Sequence, residues 1–165
     1  MKRLLTSIFA LGAVFLLCIP AFAADTNQKG TGTAYAIIVN GEALNIRGLP
    51  VAPYEENGTI MVPLRKIGEA LGYEVEWDAE TRAITVDDKY IQKATLFNGV
   101  TAVVFEGKLQ IINMSREVEN AVPTVIHNGY TYVPLEFFQE FFNDTAVEGA
   151  MIKITPSMCE LSSEY

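Results

Sequence analysis

Imidazole is almost absent from this chain. His127 is the one histidine, beside one tryptophan and two cysteines. A copper or catalytic zinc centre wants two or three imidazoles, so composition speaks against a transition-metal site. No G-x-S-x-G stretch marks a nucleophile elbow. "GEALG" and "GTGT" lack the strand–glycine–helix setting of a phosphate loop. The densest acids, Asp78/Glu80 and Asp87–Asp88, lack the alternating oxygens and glycine of a calcium loop and read as solvated hairpin turns. No pair of carboxylates is marked as a glycosidase pair. Positive charge is scarce as well: 12 lysines and arginines stand against 20 acids, for a net charge of −8. That balance argues against nucleic acid and anionic lipid as partners. The expectation is a protein with no enzyme activity, no metal and no cofactor.

Only one long apolar run occurs. It extends from Leu4 to Pro20, follows Lys2 and Arg3, and is closed by Ala21–Phe22–Ala23. This is the pattern of a secretory signal peptide cleaved after Ala23 or Ala24. The run is short for a membrane span, so no stable insertion is expected after cleavage. Cys18 follows Leu17 rather than a small residue, which argues against lipidation. Cys159 alone then remains, so no internal disulfide can form and its thiol is read as incidental. Without Lys2 and Arg3, ten cations face 20 acids and the charge becomes −10. The expected organisation is a signal peptide at 1–23, a flexible lead-in at 24–34, one domain at 35–156 and a polar tail at 157–165. The expected location is extracellular, with the cell wall as a candidate site of attachment.

Within the domain one pattern is written twice. "NGTIMVPLRKIGEALG" begins at Asn57 and "NGYTYVPLEFFQEFFN" at Asn128, 71 residues later, with Asn, Gly, Val, Pro and Leu repeated in register. A strand at Thr59–Val62 leads to Pro63, placed where a helix would begin. Leu64, Ile67 and Leu71 share one helical face, and their equivalents are Leu135, Phe138 and Phe142. Gly72 and Asn143 are the expected stops, as the residues that best tolerate a left-handed backbone. Asn40–Gly41 marks a hairpin between two short strands. "YEVEWDAETRAITVDD" reads as another hairpin, turning at Asp78–Thr81 and returning along Ala83–Val86. The second copy keeps its return strand as Met151–Ile154 but has no counterpart of Trp77. The fold class is α+β: an internally duplicated strand–helix–hairpin unit, mainly antiparallel sheet of about eight short strands, with two short helices.

"VNG" at 39–41, "NGTIMVPLRKIGEALGYEVEWDAETRAITV" at 57–86 and "NGYTYVPLEFF" at 128–138 resemble the copper amine oxidase N-terminal-like domain, or stalk domain. The resemblance covers residues 36–156. It implies a non-catalytic extracellular module of the kind found in secreted and surface proteins of Gram-positive-type bacteria, often beside wall-binding or hydrolytic domains. In amine oxidases this piece is separate from the copper domain, so the family name implies no copper here. Two departures stand out: Glu136 replaces the motif arginine kept as Arg65, and no second domain is expected beside this one.

The candidate contacts follow from these readings. Trp77, on an alternating strand with Val75, is expected in the core, with a sugar-stacking platform as the alternative. Phe137 and Phe141 replace Lys66 and Ala70 of the first copy and make the second helix apolar over more than half its girth. Such a helix is either deep in the core or covered by a partner. Arg65 and Glu136 would face each other across a local two-fold axis if the two helix starts meet. Asn57, Asn113 and Asn143 each open an Asn-x-Ser/Thr triplet; turn and cap chemistry explains the first and third. His127 reads as structural. The expected function is a binding or spacer module of the cell envelope, with wall polymer or an envelope protein as partner and a homo-oligomer open. The alternatives are a wall carbohydrate-binding or carbohydrate-active protein using Trp77 and nearby carboxylates, and a soluble partner or inhibitor protein working through the Phe-rich helix.

Overall fold

The computed structural model describes residues 34–108 and 115–157. The expected signal peptide, nearly all of the expected lead-in, the Asn113 triplet, Cys159 and most of the expected polar tail lie outside the described residues. Among the described residues there are thirteen strands and two short helices, more strands than the pattern predicts, because several are only two to four residues long. Most strand pairs are antiparallel, and the class is α+β.

Three sheets form. The first joins β1 (Ala36–Val39), β2 (Glu42–Ala43), β12 (Asn143–Glu148) and β13 (Met151–Pro156) in the order β12-β13-β1-β2. The second joins β3 (Tyr54–Glu56), β4 (Thr59–Pro63), β10 (Val125–His127) and β11 (Tyr130–Pro134) in the order β10-β11-β4-β3. The third is a meander of β5 (Glu74–Trp77), β6 (Ala83–Asp87), β7 (Gln92–Phe97), β8 (Ala102–Gly107) and β9 (Ser115–Glu119). One pairing has no forewarning in the sequence: β1 runs parallel to β13, with Ile37 opposite Ile152.

Local chemistry sets the tight turns. At Asn40–Gly41, Asn57–Gly58 and Asn128–Gly129 both residues have positive φ, between 48° and 82°. That is the backbone a two-residue type I′ hairpin demands, and Asn–Gly adopts it at the least steric cost. The prolines act one residue earlier than predicted. Pro63 and Pro134 end their strands as the residues flanking the helices, and Leu64 and Leu135 are the first helical residues. Each proline sits in the last pair of the β4–β11 ladder, Pro63 opposite Tyr132 and Pro134 opposite Met61.

The first helix, α1 (Leu64–Ala70), ends as predicted, with Gly72 at φ +84°. The second segment, Leu135–Phe141, is a 3-10 helix, and its end differs from the prediction. Phe142, not Asn143, takes the left-handed conformation at φ +56°. Asn143 is instead a buried cap: its side-chain amide donates to the carbonyls of Phe138 and Phe141 at 2.8 and 3.2 Å. The buried face shifts for the same reason. With three residues per turn, the stripe is Leu135, Phe138 and Phe141 rather than Leu135, Phe138 and Phe142. Phe142 is 47% exposed.

One main core unites the helices and the sheets. It holds Leu64 and Ile67 of α1, Leu135, Phe137, Phe138 and Phe141 of the 3-10 helix, Val86 and Phe105 of the meander, and Ile37, Ile152 and Ile154 of the first sheet. Phe137 and Phe141 pack on Phe105, with ring centroids 6.1 and 5.4 Å apart. The Arg116 guanidinium lies 4.5 Å from the centroid of the Phe105 ring and pairs with Glu140. Phe137 and Phe141 are therefore core residues, and the reading of them as a partner surface is corrected.

Candidate functional site

Trp77 corrects a prediction in the opposite sense. Alternation puts it on the same side of β5 as Val75, and Val75 is buried, yet Trp77 is 46% exposed. The strand outruns the core: period two assigns a face but not the depth of what lies beneath it. The indole instead walls an open groove of about 520 Å³ between the start of α1, the end of β5 and the β10–β11 hairpin. Tyr130 and Thr131 contribute from β11, Ile126 from β10, and Arg65 and Lys66 from the first turn of α1. Glu76 adds one carboxylate.

Arg65 is held in place. Its Nη1 donates to the Val75 carbonyl at 2.5 Å, and the guanidinium lies 3.8 Å from the Glu69 carboxylate, one turn along the helix. Glu136 is exposed. Among the described residues Arg65 makes no ion pair with Glu136, so the conditional pairing of the two across the helix starts is not seen. The motif arginine serves a neighbouring strand edge instead. Gly68 brings that strand close, since a Cβ there would sit 2.9 Å from the Val75 Cγ2.

The edge is otherwise open. Asp78 N donates to Ala83 O, and Glu76 pairs with Thr85 in the same register. Antiparallel alternation then turns the backbone groups of Val75 and Trp77 away from β6, toward the groove side. Arg65 occupies the Val75 acceptor.

The remaining titratable groups have structural duties. The His127 Nε2 lies 3.2 Å from the Tyr54 hydroxyl, and the ring packs edge-on to Tyr54 and Tyr132. Burial first, and then the Glu56 carboxylate, push the Tyr54 phenol up to about 12. Asp78 accepts from Glu80 N and Thr81 N in its own turn, and bonds from Thr81 and Glu80 hold its carboxyl below the usual carboxylate range. Asp88 accepts from the amides of Tyr90, Ile91 and Gln92. Asp87 feels burial raising its pKa, but Lys108, Lys89 and Lys93 outweigh that and lower it. The acidic hairpins are thus engaged in turn geometry. Among the described residues no three of His, Cys, Asp and Glu gather as metal ligands.

A second cavity, of about 430 Å³, lies at the far end of α1 between Tyr73, Tyr90 and Phe142. Tyr90 is 79% exposed on the turn that Asp88 pins.

The structure therefore brings Arg65 and Trp77 to one groove and separates them from Glu136, Phe137 and Phe141. Sequence reasoning missed Lys66, Tyr130 and Ile126 as groove residues. A signal existed for Lys66: it is where the first copy carries a cation and the second carries Phe137. The polar face opens outward and the phenylalanine face is covered.

Residues 38–148 match the sequence profile of the copper amine oxidase N-terminal domain. Over 82 residues, half of this chain, the sequence is 38% identical to a protein of Brevibacillus choshinensis named "Protease inhibitor". The chain spans 22% of that relative's length. No solved structure matches the chain.

Proposed function

The chain belongs to the copper amine oxidase N-terminal domain family, and from that premise we propose that it is a non-catalytic, secreted module that binds a component of the cell envelope. Its frame is one domain built from a duplicated strand–helix–hairpin unit. Supporting this, β3, β4 and α1 recur 71 residues on as β10, β11 and the 3-10 helix, and β4 pairs with β11 at equivalent residues. The observation that carries the binding reading is the Trp77 groove. A half-exposed indole, a tethered Arg65 and an open strand edge meet at one concave site, while the only histidine is engaged with two tyrosines. Concave sites with a few convergent polar groups are the default binding surface of a small domain.

Sedimentation with insoluble cell-wall polymer tests this reading. The chain should pellet with the polymer, free glycan should release it, and Trp77→Ala should stay in solution. A chain that remains in the supernatant with every wall fraction would overturn it. Elemental analysis of protein purified without added metal should find no stoichiometric copper.

A second reading, a soluble inhibitor protein, draws on the name of the Brevibacillus relative and on Tyr90, presented on a pinned turn. It predicts inhibition of a secreted protease that is lost in Tyr90→Gly.

A further inference from the structure

The identity of the groove's ligand follows from what the groove offers and what it obstructs. An extended peptide would dock by pairing with the open edge of β5, as strand addition requires a run of free backbone donors and acceptors. The Arg65 guanidinium sits on the Val75 carbonyl and interrupts that run. What remains is aromatic surface and positive charge. Trp77 and Tyr130 are both partly exposed in the groove, and neither belongs to the stacked aromatic clusters of the core. Lys66 stands beside them, and among the described residues it makes no ion pair. Arg65 faces the Glu69 carboxylate at 3.8 Å and Glu76 lines the groove as well, so Lys66 is the groove cation without an ion pair among the described residues, on a chain whose net charge is −8. An unpaired cation on an otherwise acidic surface favours an anion by contrast with its surroundings.

We propose that the groove binds an acidic glycan, with a pyranose ring stacked on the Trp77 indole and a carboxylate or phosphate of the same chain held by Lys66 and Arg65. The sugar's C–H face meets the electron-rich face of the indole, and its hydroxyls meet the backbone groups of Trp77 left free at the strand edge. This rests on the reading of the chain as a binding module and specifies its ligand class.

Trp77 is the only tryptophan of the chain, so its fluorescence reports on this groove alone. The test titrates the purified chain with hexagalacturonate, with a mannopentaose carrying one phosphate, with neutral cellohexaose and with hexaglutamate. A saturable change in emission is expected with at least one of the two acidic glycans, and which one responds identifies the anion. Lys66→Gln should weaken that binding about threefold to fivefold, as suits one surface charge contact, with the melting temperature unchanged. Trp77→Ala, followed by calorimetry, should weaken it by about tenfold or more. Added salt should weaken the acidic glycan and spare any residual neutral binding. No saturable response to either acidic glycan would overturn the proposal, as would equal affinity for cellohexaose or for hexaglutamate. If wall polymer still pellets the chain in that case, the ligand assignment fails and the binding-module reading stands. If neither occurs, both fail.

Discussion

Val62 and Val133 lie directly opposite each other in the antiparallel pair of β4 and β11. They are 71 residues apart in the chain, and each precedes Pro–Leu. The flanking pairs, Pro63 with Tyr132 and Met61 with Pro134, exchange equivalent positions about this centre. Both valines are fully buried, and each leads into a helix that drops onto the shared core.

One cooperative unit should follow. Ile67 of α1 and Phe138 of the 3-10 helix belong to the same buried cluster. Truncating either to Ala should cost about 2–5 kcal/mol through lost burial and the cavity left behind. Denaturant unfolding followed by fluorescence and by circular dichroism should show a single transition lowered by both changes. Two transitions, each moved by one variant, would mean two independent units.

Gly68→Ala sets two effects against each other. In a helix interior alanine is favoured over glycine by about 1 kcal/mol. Here the new methyl would lie 2.9 Å from the Val75 Cγ2, and crowding a packed core costs about 1–3 kcal/mol. The steric term should win, so the variant should be less stable. Adding Val75→Ala should recover part of the loss, a coupling that chemical denaturation of the double-mutant cycle would read.

Phe142 and Asn143 are neighbours with opposite expectations. Phe142 is a half-exposed aromatic at φ +56°. Phe142→Gly should stabilise, since a left-handed residue bearing a Cβ costs about 1–2 kcal/mol. Asn143→Ala should destabilise by about 1–3 kcal/mol, because it leaves the Phe138 and Phe141 carbonyls without their buried donor. Thermal melts of the two variants should move in opposite directions.

Alkali should weaken the fold through Tyr54. Its phenol is raised from the ordinary 10.0 to about 12, chiefly by burial, so the folded state favours the neutral form. A raised folded pKa means that the contribution is complete below pH 10 and is lost as pH climbs from 10 toward 12. Stability measured across that window should fall more gently in Tyr54→Phe. Phenolate absorbance should show one fewer late-titrating tyrosine in that variant.

The sequence by itself determined the features whose causes are local. Asn–Gly forces its hairpins because few other dipeptides accept positive φ twice, and Gly72 ends α1 for a related reason. The repeat located both helices, with their starts one residue early, and identified Leu64 and Leu135 as buried residues that follow a strand-ending proline. Which strands meet was decided by tertiary structure. The parallel contact of β1 with β13 and the central pairing of β4 with β11 join residues far apart in the chain, and no local preference encodes such a partner. The groove was decided there as well. Alternation reports the side on which Trp77 lies, but its exposure depends on where the core beneath β5 ends. The covering of Phe137 and Phe141 depends on Phe105, on a strand of the meander more than thirty positions earlier, and Arg65 turned to the carbonyl of Val75 rather than to Glu136 because Gly68 lets that strand come close.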